Sequence, residues 1–532
     1  MKPTPPKSSR PAAIHPANAF TDESMGCGGC AAERRLRAEA RRIGMALLSL
    51  SLAPAAWADY KTDVGYAALL QELGSAIPDG SGVAVTQTEA SSVDTTSALY
   101  PIYAPDAAHA AFAGKNFSYP GTASTEPSSH ATGVGQLFYG TASMAAGISD
   151  IASHETDAWI ASLYSPTGTT TAVTRRIANH SWVGNADTAG SNGMVLRVVD
   201  RQVQRNEYIQ VVGMANGASV NPLLGNGYNV IAVGRSDGGH DRGSDAIDST
   251  YVGGRTRPDL VAPQATTSSA TPIVAASAAL LVQTGRDAAL SLSNGSTTIA
   301  GIGTVYNAER AETVKAALMA GASRETANSG LAAEISDYRA GGHQTDNGLD
   351  DRYGAGQVNV YNSYHILAAG EQDSLQDGGT GIGIEGFDYD PSFGGASASN
   401  ATATYGFTAP GDLRLTATLA WNLGVANTSA MTTTLHNLDL DLFDATTQSV
   451  VASSYSGSDN TENLWVQLFA DHQYQLRVTT PETAGYTWDY ALAWRMEAVA
   501  APVPVPAAAW LFASACGGLG LFARSRARRV SG

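Results

Sequence analysis

Three separated segments carry side chains suited to acyl transfer. In RPDLVAPQATTSSATPIVAASAALLV (257–282), Ser268 stands before Ala-Thr-Pro and an apolar helical run. Pro272 is expected in the first turn of that helix, which puts Ser268 near its positive N-terminal end, where backbone amides stabilise developing negative charge. In SSHATGVGQLFYGTASMAAGISDI (128–151), His130 precedes a helical run of small residues, where Gly and Ala allow close packing on a sheet. VVGMANG (211–217) ends a buried strand with Asn216, whose side-chain amide can reach an oxyanion. Singly, each has a plain structural reading: an ordinary histidine, a serine in an Ala/Ser/Thr-rich loop, a turn residue before Gly217. Together they supply a nucleophile, a base and an oxyanion donor.

The elements that must position them follow from periodicity. Strand-like runs GVAVTQTE (82–89), EYIQVVGMA (207–215) and NVIAVG (229–234) alternate with the helix-like TPIVAASAALLVQ (271–283) and AERAETVKAALMAGA (308–322). Continuous Val/Ile runs between helical segments predict an α/β domain whose parallel sheet is buried on both faces. The chain then turns Gly/Ser/Asp-rich over 371–400 and gives alternating strands: LRLTATLAW (413–421), LDLDLF (438–443), NLWVQLF (463–469), YQLRVTT (474–480) and YALAW (490–494). In LDLDLF, Leu438, Leu440 and Leu442 face one way and Asp439 and Asp441 the other, the period of a half-buried strand. An antiparallel β-sandwich is expected, separable from the first domain.

The order acid, histidine, asparagine, serine is that of the subtilisin-like proteases, which the chain resembles over about 63–370. HATGVG (130–135) is similar to that family's histidine block and SSATP (268–272) to its serine block. NHSWVG (179–184), NVIAVG, RPDLVAP (257–263) and YGAGQVNV (353–360) resemble further family segments, in register. The resemblance implies a parallel-sheet peptidase domain followed by a jelly-roll-like sandwich and an acyl-enzyme mechanism. It implies that Ser181, Trp182, Val183 and Gly184 offer backbone to a peptide or protein substrate. The family's aspartate falls at Gln87 in a gapless alignment, and Gln cannot compensate an imidazolium. Glu89 is the only carboxylate in Val83–Ala90 and shares a strand face with Gln87. Glu89, His130, Ser268 and Asn216 are therefore the expected catalytic residues, with Gln87 mattering far less than Glu89. The competing expectation is an inactive scaffold of this shape acting as a surface binding protein. An esterase would want GxSxG around the serine, and Thr-Ser268-Ser-Ala does not supply it.

The 532 residues have a net charge of −16, with the basic residues concentrated at the two ends, so nucleic acid is excluded as a partner. ERRLRAEARR (33–42) followed by IGMALLSLSLAPAA (43–56) and Ala56-Trp57-Ala58 reads as an export signal after an N-terminal extension. Cys27 and Cys30 precede that signal and Cys516 lies in the tail, leaving none in the folded body. The tail PVPVPAAAWLFASACGGLGLFARSRARR (502–529) resembles the PEP-CTERM sorting tails processed by exosortases in Gram-negative bacteria, with its apolar run meeting the membrane and its Arg cluster staying inside. The expected organisation is leader 1–58, peptidase domain 59–370, linker and start of the sandwich 371–400, sandwich 401–498 and anchoring tail 499–532. The chemistry requires no cofactor. Calcium is a possible ligand of Asp439, Asp441, Asp459 and Glu462, since hard cations take several oxygens. The uncharged run Ala507–Ala523 would be an aggregating patch on a soluble body. A chain ending at Ala500 is expected to keep its activity and elute as a soluble species in gel filtration, whereas loss of activity would contradict this.

Overall fold

The computed structural model describes residues 60–91, 101–121, 126–165, 168–217, 223–329, 334–394, 401–483 and 485–499, together with the short strand Ile14–Pro16. The segments expected to be an export signal (33–58) and a sorting tail (502–529) lie outside these residues. Among the described residues no helix is long and apolar enough to cross a membrane.

Seven strands form the central sheet: β1 (Val85–Glu89), β2 (Asn116–Ser118), β3 (Asp150–Glu155), β4 (Ile177–His180), β5 (Ile209–Gly213), β6 (Ile231–Arg235) and β7 (Leu260–Ala262). Their order is β7-β6-β5-β4-β1-β3-β2, and every neighbouring pair is parallel. Val85, Ile151, Ile177, Ile209, Val211, Ile231 and Val233 are buried in one apolar core with the helices. Helices α1 (Ser129–Phe138) and α3 (Thr267–Arg286) pack against each other, and α2 (Ala189–Asn206) covers the opposite side with Leu196, Val198 and Val199. This is the expected parallel α/β layer, buried on both faces.

The sandwich follows as two four-stranded antiparallel sheets. One has the order β8 (Glu385–Phe393), β15 (Trp488–Ala498), β10 (Leu413–Ala420), β13 (Thr461–Leu468); the other has β9 (Thr402–Thr408), β14 (Gln473–Thr479), β11 (Asp439–Asp444), β12 (Ser449–Ser454). Leu438, Leu440 and Leu442 all enter the core between the sheets, as their alternation predicts. Strand β8 begins inside the Gly-rich run, so that run contributes an edge strand as well as a connection.

The sandwich does not stand free, contrary to the sequence expectation. Its first sheet lays Phe387, Tyr389, Ala420, Ala491 and Ala493 into the same core as helix α4 (Ala311–Gly321), and every residue of α4 is buried. Polar groups on that helix have partners. Lys315 Nζ donates to the carbonyls of Tyr228 and Val230, and burial pushes its pKa down to about 8. Asn422 from the sandwich donates to Glu312. Arg310 donates to Glu207 at 2.8 Å and lies 4.2 Å from the centre of the Tyr389 ring. A separated sandwich would expose this apolar face and remove the Asn422 donor from Glu312 and the Tyr389 ring from Arg310.

Three of the four carboxylates considered for calcium are engaged by protein groups, while Asp439 Oδ1 has no hydrogen-bond partner. Asp441 pairs with Arg477 at 2.7 Å, and Glu462 accepts from Ser454 Oγ and from the Ser456 amide. Asp459 accepts from the amide of Thr256 in the first domain, at 3.1 Å. Of these, Asp459 ties the sandwich to the first domain. Replacing Arg310 by Ala leaves the buried Glu207 carboxylate without its ion partner, and a loss of about 3–5 kcal/mol is expected in urea unfolding. A change below about 1 kcal/mol would mean that water reaches the pair.

Candidate active site

All four candidate catalytic residues come from the carboxyl-terminal side of the central strands or from the first turns of helices above it. Glu89 is the last residue of β1, Ser181 follows β4, and Asn216 lies three positions beyond β5; these strands are adjacent in the sheet. Ligands of open parallel sheets bind at this edge, because the strands end there and the loops and helix N-termini converge. His130 is the second residue of α1, whose N-cap Ser128 accepts from the Ala131 amide. Ser268 is the second residue of α3, capped by the Thr266 hydroxyl accepting from the Ser269 amide.

Glu89 and His130 meet. Glu89 Oε2 lies 2.9 Å from His130 Nδ1, and the carboxylate is only 2% exposed. Burial disfavours the imidazolium, but the hydrogen bond and the charge of Glu89 outweigh it and raise the His130 pKa. Where no carboxylate stands opposite the ring, burial wins. His154 and His180 are both pushed down to about 4 and stay neutral. His180 Nε2 is within 2.8 Å of Gln210 Oε1, while its Nδ1 accepts from Trp182.

Gln87 also takes part in the site's hydrogen bonding. Its Nε2 donates to Glu89 Oε1 at 2.8 Å and to the Ala131 carbonyl at 2.8 Å, and its Oε1 accepts from the Tyr139 hydroxyl. Its position on the same strand face as Glu89 was the available signal. Tyr139, at the C-cap of α1, left no comparable mark in the sequence.

Ser268 sits in a second knot of contacts. Its hydroxyl approaches the Ser181 carbonyl at 3.4 Å, while the Ser181 hydroxyl donates to the Ser268 carbonyl at 3.0 Å. Asn179 Nδ2 donates to Ser181 Oγ at 2.9 Å. Asn216 is exposed and its Oδ1 accepts from the Thr267 amide at 2.9 Å. Pro272 lies inside α3 and not in its first turn, because Thr266 starts the helix earlier than the sequence suggested. A proline there has no N–H for the carbonyl four residues back. That carbonyl belongs to Ser268, and Ser181 Oγ serves it instead.

In the stretch 181–184 the side chains turn inward. Ser181 is buried, and Trp182 packs in the core with Trp159, Tyr208 and Val212. What this run can present is backbone. Its continuation Gly184–Ala186 pairs antiparallel with Ile14–Pro16, so this edge takes an extended segment of the chain itself. Away from the site, Glu371, Asp373 and Asp388 place carboxylate oxygens within 4.8 Å of one another, and burial raises the Asp388 pKa well above the usual range.

No protein-family model and no curated protein matches this chain. Among solved structures, a protease from Pseudoalteromonas arctica is 14% identical, with 55% of this chain and 91% of that one covered at a TM-score of 0.32. A serine protease of the type VII secretion system is 13% identical, with 59% and 90% covered at a TM-score of 0.33. The pre-peptidase C-terminal domain of a Bacillus anthracis collagenase is 15% identical, covering 21% of this chain and 91% of that domain at a TM-score of 0.17. Overlaps this low assign no activity, and the functional reading rests on the geometry.

Ser181→Ala would leave the Ser268 carbonyl without the donor that replaces the missing Pro272 N–H. A loss of about 1–3 kcal/mol in chemical unfolding is expected. A silent substitution would show that water serves that carbonyl equally well.

Proposed function

We propose that this chain is an exported serine endopeptidase that hydrolyses peptide bonds through an acyl-enzyme. The observation that carries the reading is the contact of Glu89 Oε2 with His130 Nδ1, made by a carboxylate buried at the end of a central strand. Ser268 Oγ attacks the scissile carbonyl carbon as its proton passes to His130 Nε2. Glu89 accepts from Nδ1–H throughout, fixing the tautomer and stabilising the imidazolium. The Asn216 amide and the Ser268 backbone N–H receive the oxyanion. The C–N bond then breaks as His130 returns the proton to the departing amine. Water, deprotonated by the same imidazole, releases the acyl group and restores Ser268.

The substrate is a peptide or protein segment in extended form, laid against the backbone of 181–184. Pairing of Ile14–Pro16 with Gly184–Ala186 supports that mode, since main-chain hydrogen bonding to an open edge is indifferent to most side chains. The leader and the PEP-CTERM-like tail favour action at the envelope of a Gram-negative bacterium, with an exosortase-type enzyme processing the tail.

A fluorophosphonate probe tests the reading directly, because only an activated serine is phosphonylated. Wild type is expected to be labelled at Ser268 and Ser268→Ala to stay blank; an unlabelled wild type would favour the binding scaffold. Glu89→Gln removes the charge opposite the imidazolium and should lower kcat on the order of 10⁴-fold with little change in KM. The base must be neutral, so kcat/KM should climb as pH rises through the His130 pKa. Since that pKa is raised, the climb should centre above the ordinary histidine value in the wild type.

A further inference from the structure

Gln87 occupies the place where a carboxylate is expected, yet it is fully buried and all its bonds point into the site. An amide side chain offers two N–H donors and one carbonyl acceptor. Here both donors and the acceptor are engaged. One donor meets Glu89 Oε1, the carboxylate oxygen not used by His130; the other meets the Ala131 carbonyl, the residue after His130. The acceptor is held by the Tyr139 hydroxyl. The orientation of an amide follows from its partners. The Tyr139 O–H can donate to the oxygen end only, and Glu89 as an anion accepts from the nitrogen end only. Both therefore select the same orientation.

We infer that Gln87 and Tyr139 are positioning residues of the active site, forming a relay from Tyr139 through Gln87 to Glu89 that aims the second carboxylate oxygen at His130. The inference rests on the proposed peptidase reading for its catalytic consequence, though the relay itself is a geometric statement. Three features support it beyond simple packing. Glutamate is one methylene longer than the aspartate of the resembled family and has an additional torsion to fix, and a single contact to a histidine on another element would leave that torsion loose. Gln87 donates to the oxygen that His130 leaves, so both carboxylate oxygens are held. The same amide ties β1 to the first turn of α1 through the Ala131 carbonyl, fixing the imidazole and its carboxylate relative to each other. Tyr139 remains a donor because burial, and then the charges of Glu89 and Tyr119, hold its hydroxyl pKa well above the ordinary value. Glu89 is the charged side chain that acts on His130; Tyr139 and Tyr119, the titratable groups at the far end of the relay, both have raised pKa values and stay neutral at physiological pH.

The test uses the full chain as wild type, Gln87→Met, Tyr139→Phe and Ser268→Ala. Met matches the length and volume of Gln without donors. If the relay aims Glu89, its loss lets the carboxylate leave Nδ1 or take up a proton, and either event lowers the His130 titration midpoint seen by NMR, with His130→Asn assigning the resonance. On a fluorogenic peptide the same variants should lose about 10- to 100-fold in kcat, as for one hydrogen bond to a charged group, at unchanged KM. The rise of kcat/KM should move to lower pH in both. Midpoints and pH profiles identical to wild type overturn the relay even where stability falls, since a merely structural role lowers the melting temperature without moving either. Tyr139→Phe deletes one oxygen and carries the test should Gln87→Met fail to fold. Failure of the peptidase reading is seen separately, as wild type resisting the fluorophosphonate probe, and the NMR midpoint still judges the relay in that event.

Discussion

A carboxylate taken out of water must be met by donors, and at Glu89 that requirement organises the centre of the molecule. The group lies at the end of a fully buried strand, where an unpaired charge would cost several kcal/mol. One oxygen is met by His130 and the other by Gln87. Those two bonds demand that α1 begin directly above β1, and Gln87 secures this by also holding the Ala131 carbonyl. The sheet, the first turn of the helix and the side-chain chemistry are thus parts of one hydrogen-bonded unit.

Helix α3 is bound to the same edge by different means. Its sequence is dominated by small apolar residues, and nearly all of it is buried. A proline six residues into such a helix would ordinarily be disruptive, since it withdraws a donor and crowds a carbonyl. Placing the loss at the Ser268 carbonyl lets Ser181, the residue just beyond β4, take it up. The local defect becomes a link between the serine loop and the neighbouring strand end. Asn216 adds another by accepting from the Thr267 amide, an N-terminal N–H that helix geometry leaves without an intrahelical partner. The arrangement leaves Ser268 half-buried rather than sealed.

Much of this was legible in the sequence, and unevenly. Val/Ile runs announced β5 and β6, and the Leu/Asp alternation announced β11, because apolar periodicity reflects burial directly. Asp150–Glu155 and Ile177–His180 were harder to read as strands from pattern alone. Both are interior strands, yet they carry Ser153, His154, Asn179 and His180, which are buried. Asn179 Nδ2 donates to Ser181, and the His180 ring nitrogens meet Gln210 and Trp182, partners that the residue pattern does not reveal. The same limit applies to Gln87. A glutamine reads as a defective acid when only residue types are compared. Its function depends on where two other side chains, 2 and 52 positions away, happen to converge. The start of α3 was misplaced for a related reason: Thr266, as N-cap, outranks the proline as a boundary signal.

The sandwich shows how a second domain can bear on a site it does not enter. Its sheet covers α4, α4 packs against α3 and α5 (Val360–Ala368), and α3 carries Ser268 in its first turn. Interiors packed at crystal-like density transmit displacement instead of absorbing it. The buried polar groups at the join make that coupling demanding. Glu312 has its pKa raised well above the usual range by burial first and then by the charges of Glu207 and Asp489, while Arg310 opposes the shift. Glu312 depends on the sandwich directly, because its Oε1 accepts from Asn422 and separation would leave that buried oxygen without its donor. The alternation that marks the sandwich strands therefore describes only its inner faces. The face on α4 is apolar for a different reason, namely that it completes the core of the domain before it, and the rigidity of the α3 scaffold follows from that shared core.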